Sequence, residues 1–207
     1  MKEKVVNKTL NFLLKNGNYS KSDREKLKYG IEGIYLTITK CIIIFLLAFL
    51  LRMFKEEILL LLCFNILRFT GFGFHADSSL KCLIFSTILF ILIPYVFINI
   101  NIDFPVIILL DILGIIYLSI YAPSDTVKRP LPNKKKRIIR KLCTIINSSL
   151  FLIISFFTSK DISIVLMLSI ICECVMVSPI TYKIFKMPYR NYLKMKEVAK
   201  WKELLVL

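Results

Sequence analysis

Six apolar runs, at residues 34–51, 58–67, 80–97, 104–121, 142–158 and 162–182, alternate along this chain with polar segments rich in lysine and arginine. Five of them approach the ~20 residues that a helix needs to cross a bilayer, and the second is short enough to be either a tilted span or a re-entrant arm. In lipid every backbone N–H and C=O must be satisfied within the segment itself, so runs of this kind fold as helices. The expected fold is therefore an all-α polytopic membrane protein with about six transmembrane or re-entrant helices, four to six of them full crossings. Composition agrees, since 57% of the residues are hydrophobic while Lys and Arg number 29 against 14 Asp and Glu. A net charge of +15 alone would admit nucleic acid as a partner. The basic residues sit in blocks between spans and form no single basic face, which argues against it.

The blocks also set an orientation. Eight basic residues precede position 34, eight lie in the loop 122–141 and seven follow position 182, whereas the segments 52–57, 99–103 and 159–161 are short and nearly neutral or acidic. The positive-inside rule then puts both termini and the central loop in the cytoplasm of a multi-pass cell-membrane protein. On this reading the chain is one membrane domain, with interfacial helices at 1–33, the bundle at 34–182 and a cytoplasmic tail at 183–207. Val6, Leu10, Leu13 and Leu14 alternate with lysines like one face of a surface helix, and Leu193, Trp201 and Leu205 repeat the theme, so membrane lipids are expected partners at both ends. Residues 16–18 read as a turn, and Ser22-Asp-Arg-Glu25 reads as a capping box opening a helix that continues into the first run. The polar, charged first thirty residues give no expectation of a cleavable signal.

Five of the six cysteines, Cys41, Cys63, Cys143, Cys172 and Cys174, lie in or beside apolar runs and read as small core residues. With one histidine in the chain no metal site or cofactor is expected. Cysteines scattered through membrane helices do not make a disulfide framework either. Asp111 and Glu173 lie within apolar runs, where an ionisable group is costly and is usually paired or functional.

The exception among the cysteines is Cys82, seven residues after the lone His75. On an unbroken helix that spacing separates the two by roughly 10.5 Å along the axis, which side chains cannot close. The chain must bend if they are partners. Gly71 and Gly73 supply breakers before His75, and Asp77, Ser78 and Ser79 supply N-cap residues before the next run. His75 would then lie on a loop and Cys82 in the first turns of a helix, where the helix dipole and an imidazolium both favour the thiolate. Arg68 suits either a bidentate contact with a substrate carboxylate or the oxyanion of a tetrahedral intermediate, and also an ordinary interfacial position.

Arg68, Gly73, His75-Ala76 and Cys82, followed after two apolar runs by Ala122-Pro-Ser-Asp-Thr126, Arg129-Pro130 and the lysines Lys134, Lys135 and Lys136, resemble the accessory gene regulator B family of quorum-sensing endopeptidases. The resemblance covers most of the chain. It implies a membrane cysteine peptidase that removes the C-terminal part of a small autoinducer pro-peptide and helps to close its thiolactone or lactone ring. It makes Cys82 the nucleophile and His75 the general base, and it favours Arg68 and the three lysines as contacts for the pro-peptide, the lysines capturing an acidic tail. Family members usually carry adjacent glycines two and three residues before the histidine, where this chain has Gly71-Phe72-Gly73. The interfacial helices are compatible with a homodimer. The competing expectation is a peptide exporter or scaffold without enzymatic activity.

Overall fold

The structure, a computed structural model, describes residues 2–15, 19–74, 78–126 and 130–193. Among them the regular structure is helical, in two compact units, Met1–Leu50 and Leu51–Leu207.

In the first unit α1, Lys2–Leu14, packs against α2, Lys21–Leu50. The helix α2 runs unbroken from the charged segment into the first apolar run, as the sequence suggests. Its cap differs from the expected Ser22. Ser20 Oγ accepts the Asp23 N–H at 3.2 Å and donates to the Asp23 carboxylate at 2.7 Å, so the capping side chain is that of Ser20. The carboxylate of Asp23 stands in the first turn, close to the positive end of the dipole. The turn expected at 16–18 lies outside the described residues, as do Trp201 and Leu205 in the tail.

In the second unit, α3 spans Phe54–Gly71, α4 spans Ser79–Thr87, α5 spans Ile93–Asn99, α6 spans Phe104–Tyr121, α7 spans Lys134–Ser155, α8 spans Lys160–Val177 and the short α9 spans Pro179–Ile184. The second apolar run is the middle of α3, whose 18 residues extend over about 27 Å. A π-turn, Ile88–Leu92, joins α4 to α5. It has a local cause. Pro94 has no N–H to give Leu89 or Phe90, and Ile93 N–H bonds back to Ile88 O. The Leu89 carbonyl thus freed accepts from the Cys172 thiol of α8 at 3.5 Å.

The centre of this unit is α8. Its residues from Ser163 to Ile170 are all buried, and α3, α6 and α7 pack around it. A helix apolar on every side belongs inside a bundle. Cys63 and Leu67 of α3, Leu118 of α6, Phe151 of α7 and Leu166, Ile170 and Val177 of α8 form the core. The outward faces of α6 and α7 expose Leu109, Ile116, Ile120, Ile139, Ile146 and Ile153, a surface suited to lipid chains. Four helical stretches, Ser22–Leu50, Leu80–Asn99, Phe104–Tyr121 and Lys134–Ser155, are long and apolar enough to cross a membrane. The protein is an all-α polytopic membrane protein.

Close approach of α6 to α8 requires Gly114, where a Cβ would come within 2.5 Å of Ile170 Cγ2. The same methyl at Gly33 of α2 meets nothing within 4 Å. Gly114→Ala therefore lowers the unfolding midpoint in detergent by an overpacking cost of about 1–3 kcal/mol. Gly33→Ala leaves it unchanged or raises it by up to ~1 kcal/mol of helix propensity. Equal midpoints for the two variants would refute this account of the α6–α8 contact.

Candidate active site

The site is built where α3 stops. Gly71 is its last residue, Phe72 follows with φ 60° and ψ −120°, and Gly73 has φ 100°. Two successive left-handed residues turn the chain out of the helix, and this leaves carbonyls without helical partners. Arg68, one turn back on α3, covers them. Its Nη1 donates to Phe72 O, and its Nη2 donates to Gly73 O and Phe74 O. The two glycines serve two close approaches as well as a turn. A Cβ on Gly71 would overlap the Glu173 carboxylate oxygen Oε1, and one on Gly73 would overlap Arg68 Nη1 and the Met176 carbonyl.

The turn is then stitched to two other segments. Gly73 N–H donates to Ser124 O at 2.7 Å and Ser124 N–H to Gly71 O at 3.0 Å, a bridge joining the turn to the segment after α6. Phe74 N–H donates to Met176 O at 2.7 Å, and Ser124 Oγ donates to Val177 O at 2.8 Å. The C-terminal ends of α3, α6 and α8 therefore meet at one end of the bundle. Asp125, buried, accepts the Leu131 N–H of the segment before α7 and ties in the chain beyond α9 by accepting the N–H groups of Asn191 and Tyr192, all at 2.8–3.3 Å. From α7, Arg140 donates to Phe69 O at 2.7 Å and lies 4.1 Å over the Phe72 ring.

Phe74, the last described residue before His75, is buried among Phe85 of α4, Tyr182 of α9 and Phe185. Ser78 caps α4 by accepting the Lys81 N–H at 3.2 Å. Cys82 N–H bonds to Ser78 O at 3.0 Å, the first full helical hydrogen bond. Cys82 thus sits in the opening turns of α4, half-buried, three residues before Phe85. His75 and Asp77 lie outside the described residues.

The lysines separate by position. Lys134 lines a cleft of about 240 Å3 together with Arg137 and Lys141, at helical spacing on one face of α7, and Tyr121, Tyr189 and Arg190 line it too. Lys135 and Lys136 are exposed on the same turn. The cleft matches an anionic, partly aromatic or apolar guest. Elsewhere in the bundle Glu57, Asp111 and Glu173 are fully buried and their carboxyl oxygens have no hydrogen-bond partner among the described residues. Among the described residues no cluster of side chains could hold a metal ion.

A family model described as accessory gene regulator B matches residues 6–177. The chain belongs to that family. A putative AgrB-like protein of Clostridium acetobutylicum is 31% identical over 176 residues, covering 84% of this chain and 84% of the relative. The accessory gene regulator protein B of Staphylococcus aureus strain Newman is 30% identical over 171 residues, 83% of this chain and 90% of the relative. That of Staphylococcus epidermidis is 28% identical over 185 residues, 87% and 92% respectively. No solved structure matches. Membership places the protein in a quorum-sensing family.

Phe72 holds a backbone conformation, φ 60° and ψ −120°, that favours glycine. Ser124 and Met176 are the partners that sequence reasoning missed, whereas Glu173 stood out as an acid in an apolar run. A non-glycine residue in this region costs of order 1–3 kcal/mol, so Phe72→Gly is more stable than Phe72→Ala by about that amount, both variants having lost the Arg140 stacking. Denaturation of the two in the same detergent checks it, and equal stability would mean the backbone there is unstrained.

Proposed function

We propose that this protein is a membrane cysteine endopeptidase that cuts a small pro-peptide at the cytoplasmic face through an acyl-enzyme on Cys82. The observation that carries this reading is the contact between Phe74 and Phe85. It ties the residue before His75 to the helix turn after Cys82 across a sequence gap that a straight helix could not close. The glycine turn, its Arg68 clamp and the Ser78 cap all serve that one juxtaposition.

The chemistry follows from the residue types. The imidazole of His75 takes the thiol proton of Cys82, and the thiolate attacks the scissile carbonyl. Collapse of the tetrahedral intermediate breaks the C–N bond, the proton passes from the imidazolium to the departing amine, and the upstream peptide remains as a thioester. A thiol within that peptide can then attack the thioester carbonyl, the acyl bond to Cys82 Sγ breaking as the sulfur takes the proton, so that the ring closes without ATP because one thioester replaces another at little cost. Arg68 holds the turn that presents the base. An acidic segment of the pro-peptide enters the cleft of Lys134, Arg137 and Lys141, and the released fragment leaves from there. Membrane lipids and one pro-peptide are the partners this reading needs, and the basic blocks support both termini and the site on the cytoplasmic side.

Incubation of the reconstituted protein with a cysteine-containing synthetic pro-peptide bearing an acidic C-terminal segment should give a mass shift on Cys82 equal to the upstream acyl fragment. Cys82→Ala shows no adduct and no cleavage, and His75→Ala slows acylation about 10²–10⁴-fold, the usual worth of a positioned base. Iodoacetamide should modify Cys82 faster than Cys41 or Cys143. Cleavage that survives Cys82→Ala, or labelling that treats the three thiols alike, would leave the exporter or scaffold reading in place.

A further inference from the structure

The segment after α9 supplies part of the basic cleft, with Tyr189, Arg190 and Tyr192 among its lining residues. Arg190 holds φ 54°, a left-handed conformation that a residue with a Cβ adopts when its surroundings impose it. Asp125, buried after α6, imposes it. The Asp125 carboxylate accepts the Asn191 N–H at 2.9 Å and the Tyr192 N–H at 2.8 Å, and its carbonyl accepts the Tyr182 hydroxyl at 3.1 Å. Asn191 Nδ2 donates to Pro188 O at 3.0 Å, and the Tyr182 and Tyr189 rings pack edge to face at 5.2 Å. The residues on both sides of Arg190 are thus fixed, and its backbone is set at the cleft while its side chain stays exposed.

The cations of the cleft differ in what else they do. Arg137 belongs to the wall: its Nη1 donates to Leu131 O at 2.9 Å and to Pro132 O at 3.3 Å, and its guanidinium lies 3.8 Å over the Tyr192 ring. Among the described residues no hydrogen bond or ion pair engages the side chains of Lys134, Lys141 or Arg190, the last with its guanidinium 5.5 Å over the Tyr189 ring. Of these three only the arginine has the planar fork that meets a carboxylate with two parallel N–H bonds, whereas lysine is a point charge on a flexible stem. A cleft of about 240 Å3 is smaller than the ~300–1,000 Å3 of sites that enclose a whole small molecule, so it suits one side chain of a longer ligand. We propose that Arg190 is the specificity-determining residue of the cleft: its guanidinium reads one acidic side chain in the pro-peptide segment received there, and Lys134 and Lys141 supply unselective attraction. This inference rests on the peptidase reading and names the part of the substrate that the cleft selects. Asp125 positions Arg190 through Asn191 and Tyr192, and the three N–H groups on its buried carboxylate offset the charge that would otherwise repel an acidic guest.

The test is a charge swap across the contact. Binding is read on the full-length Cys82→Ala protein in vesicles, with fluorescent synthetic pro-peptides whose acidic C-terminal segment is changed one acid at a time to its amide or to lysine. Arg190→Glu should weaken binding of the parent peptide about tenfold, between the effect of an exposed ion pair and that of a desolvated like-charge contact. Arg190→Lys should weaken it about threefold, because the two-pronged contact is lost. At one position of the segment the amide peptide should no longer respond to Arg190→Glu, and the lysine peptide should bind Arg190→Glu within about threefold of the parent pair. Lys183→Glu makes the same change of charge on the exposed side of α9, outside the cleft, and should leave every peptide within about twofold. A parent peptide that does not bind, no loss with Arg190→Glu, loss spread evenly over all acidic positions, no rescue by a lysine peptide, or an equal loss with Lys183→Glu each overturns the proposal. Losses seen in vesicles containing phosphatidylglycerol and absent in phosphatidylcholine alone also overturn it, since lipid head groups are then what Arg190 meets. Cleavage of the peptide by the Cys82→Ala protein would instead overturn the peptidase reading and leave the binding pattern standing, so the two failures are distinguishable.

Discussion

Where a helix ends inside a membrane protein the turn beyond it presents carbonyl oxygens to an environment with little water, and in this protein one side chain, Arg68, takes up those of Phe72, Gly73 and Phe74 in succession. Everything at the site end of the bundle depends on that clamp. It permits α3 to stop at Gly71 rather than run on as a full-length span, and it gives the next three residues a fixed backbone. Those residues can then donate outward, to Ser124 and Met176, and so draw the ends of α6 and α8 to the same place. Lysine could not substitute for this, because its point charge lacks the planar fork that reaches several acceptors at once.

The same end of the bundle shows how two sequence blocks some fifty residues apart become one structure. Ser124 exchanges backbone hydrogen bonds with Gly71 and Gly73 and gives its hydroxyl to Val177, while the neighbouring Asp125 accepts from Leu131, Asn191 and Tyr192. One short segment therefore holds the turn on one side and the chain beyond α9 on the other. Its residues are small or acidic because the task is to pair with backbone, which large apolar side chains would obstruct. The basic cleft forms beside this junction for the same reason, since the loop that carries Ser124 and Asp125 also delivers the start of α7.

Much of the fold was legible because lipid solvation is a blunt constraint: each apolar run became helix, and the Ser78 cap and the place of Cys82 in the opening turns of α4 followed from local residue types. Less legible were features set by packing across the bundle. The spacing of α8 gave no hint that it would be the buried centre, since a helix apolar all round looks the same in lipid as in protein. Glu57 escaped notice because Lys55 and Glu56 make its surroundings resemble an ordinary exposed helix start, whereas Asp111 and Glu173 stood out among apolar neighbours. The lysine and arginine block read as one patch, yet helical spacing divides it, with Lys134, Arg137 and Lys141 toward the cleft and Arg140 toward α3. The cap at Ser20 was displaced from Ser22 because both serines are followed three residues later by an acid, and sequence alone does not choose between them.

Phe72 links these observations. Glycine would adopt its backbone conformation without strain, so a phenylalanine there must be held by something worth at least as much. Beyond the Arg68 hydrogen bond to its carbonyl, the Arg140 guanidinium over its ring and the bridge to Ser124 hold it, and both are absent from an isolated turn. A cation over an aromatic face contributes about 0.5–2 kcal/mol depending on desolvation, comparable with the strain of one left-handed residue. The turn is therefore held both by the local Arg68 clamp and by tertiary contacts from α7 and from the segment after α6. That is the condition a preorganised site requires: the residues that flank the reacting groups are fixed by the bundle before any substrate arrives.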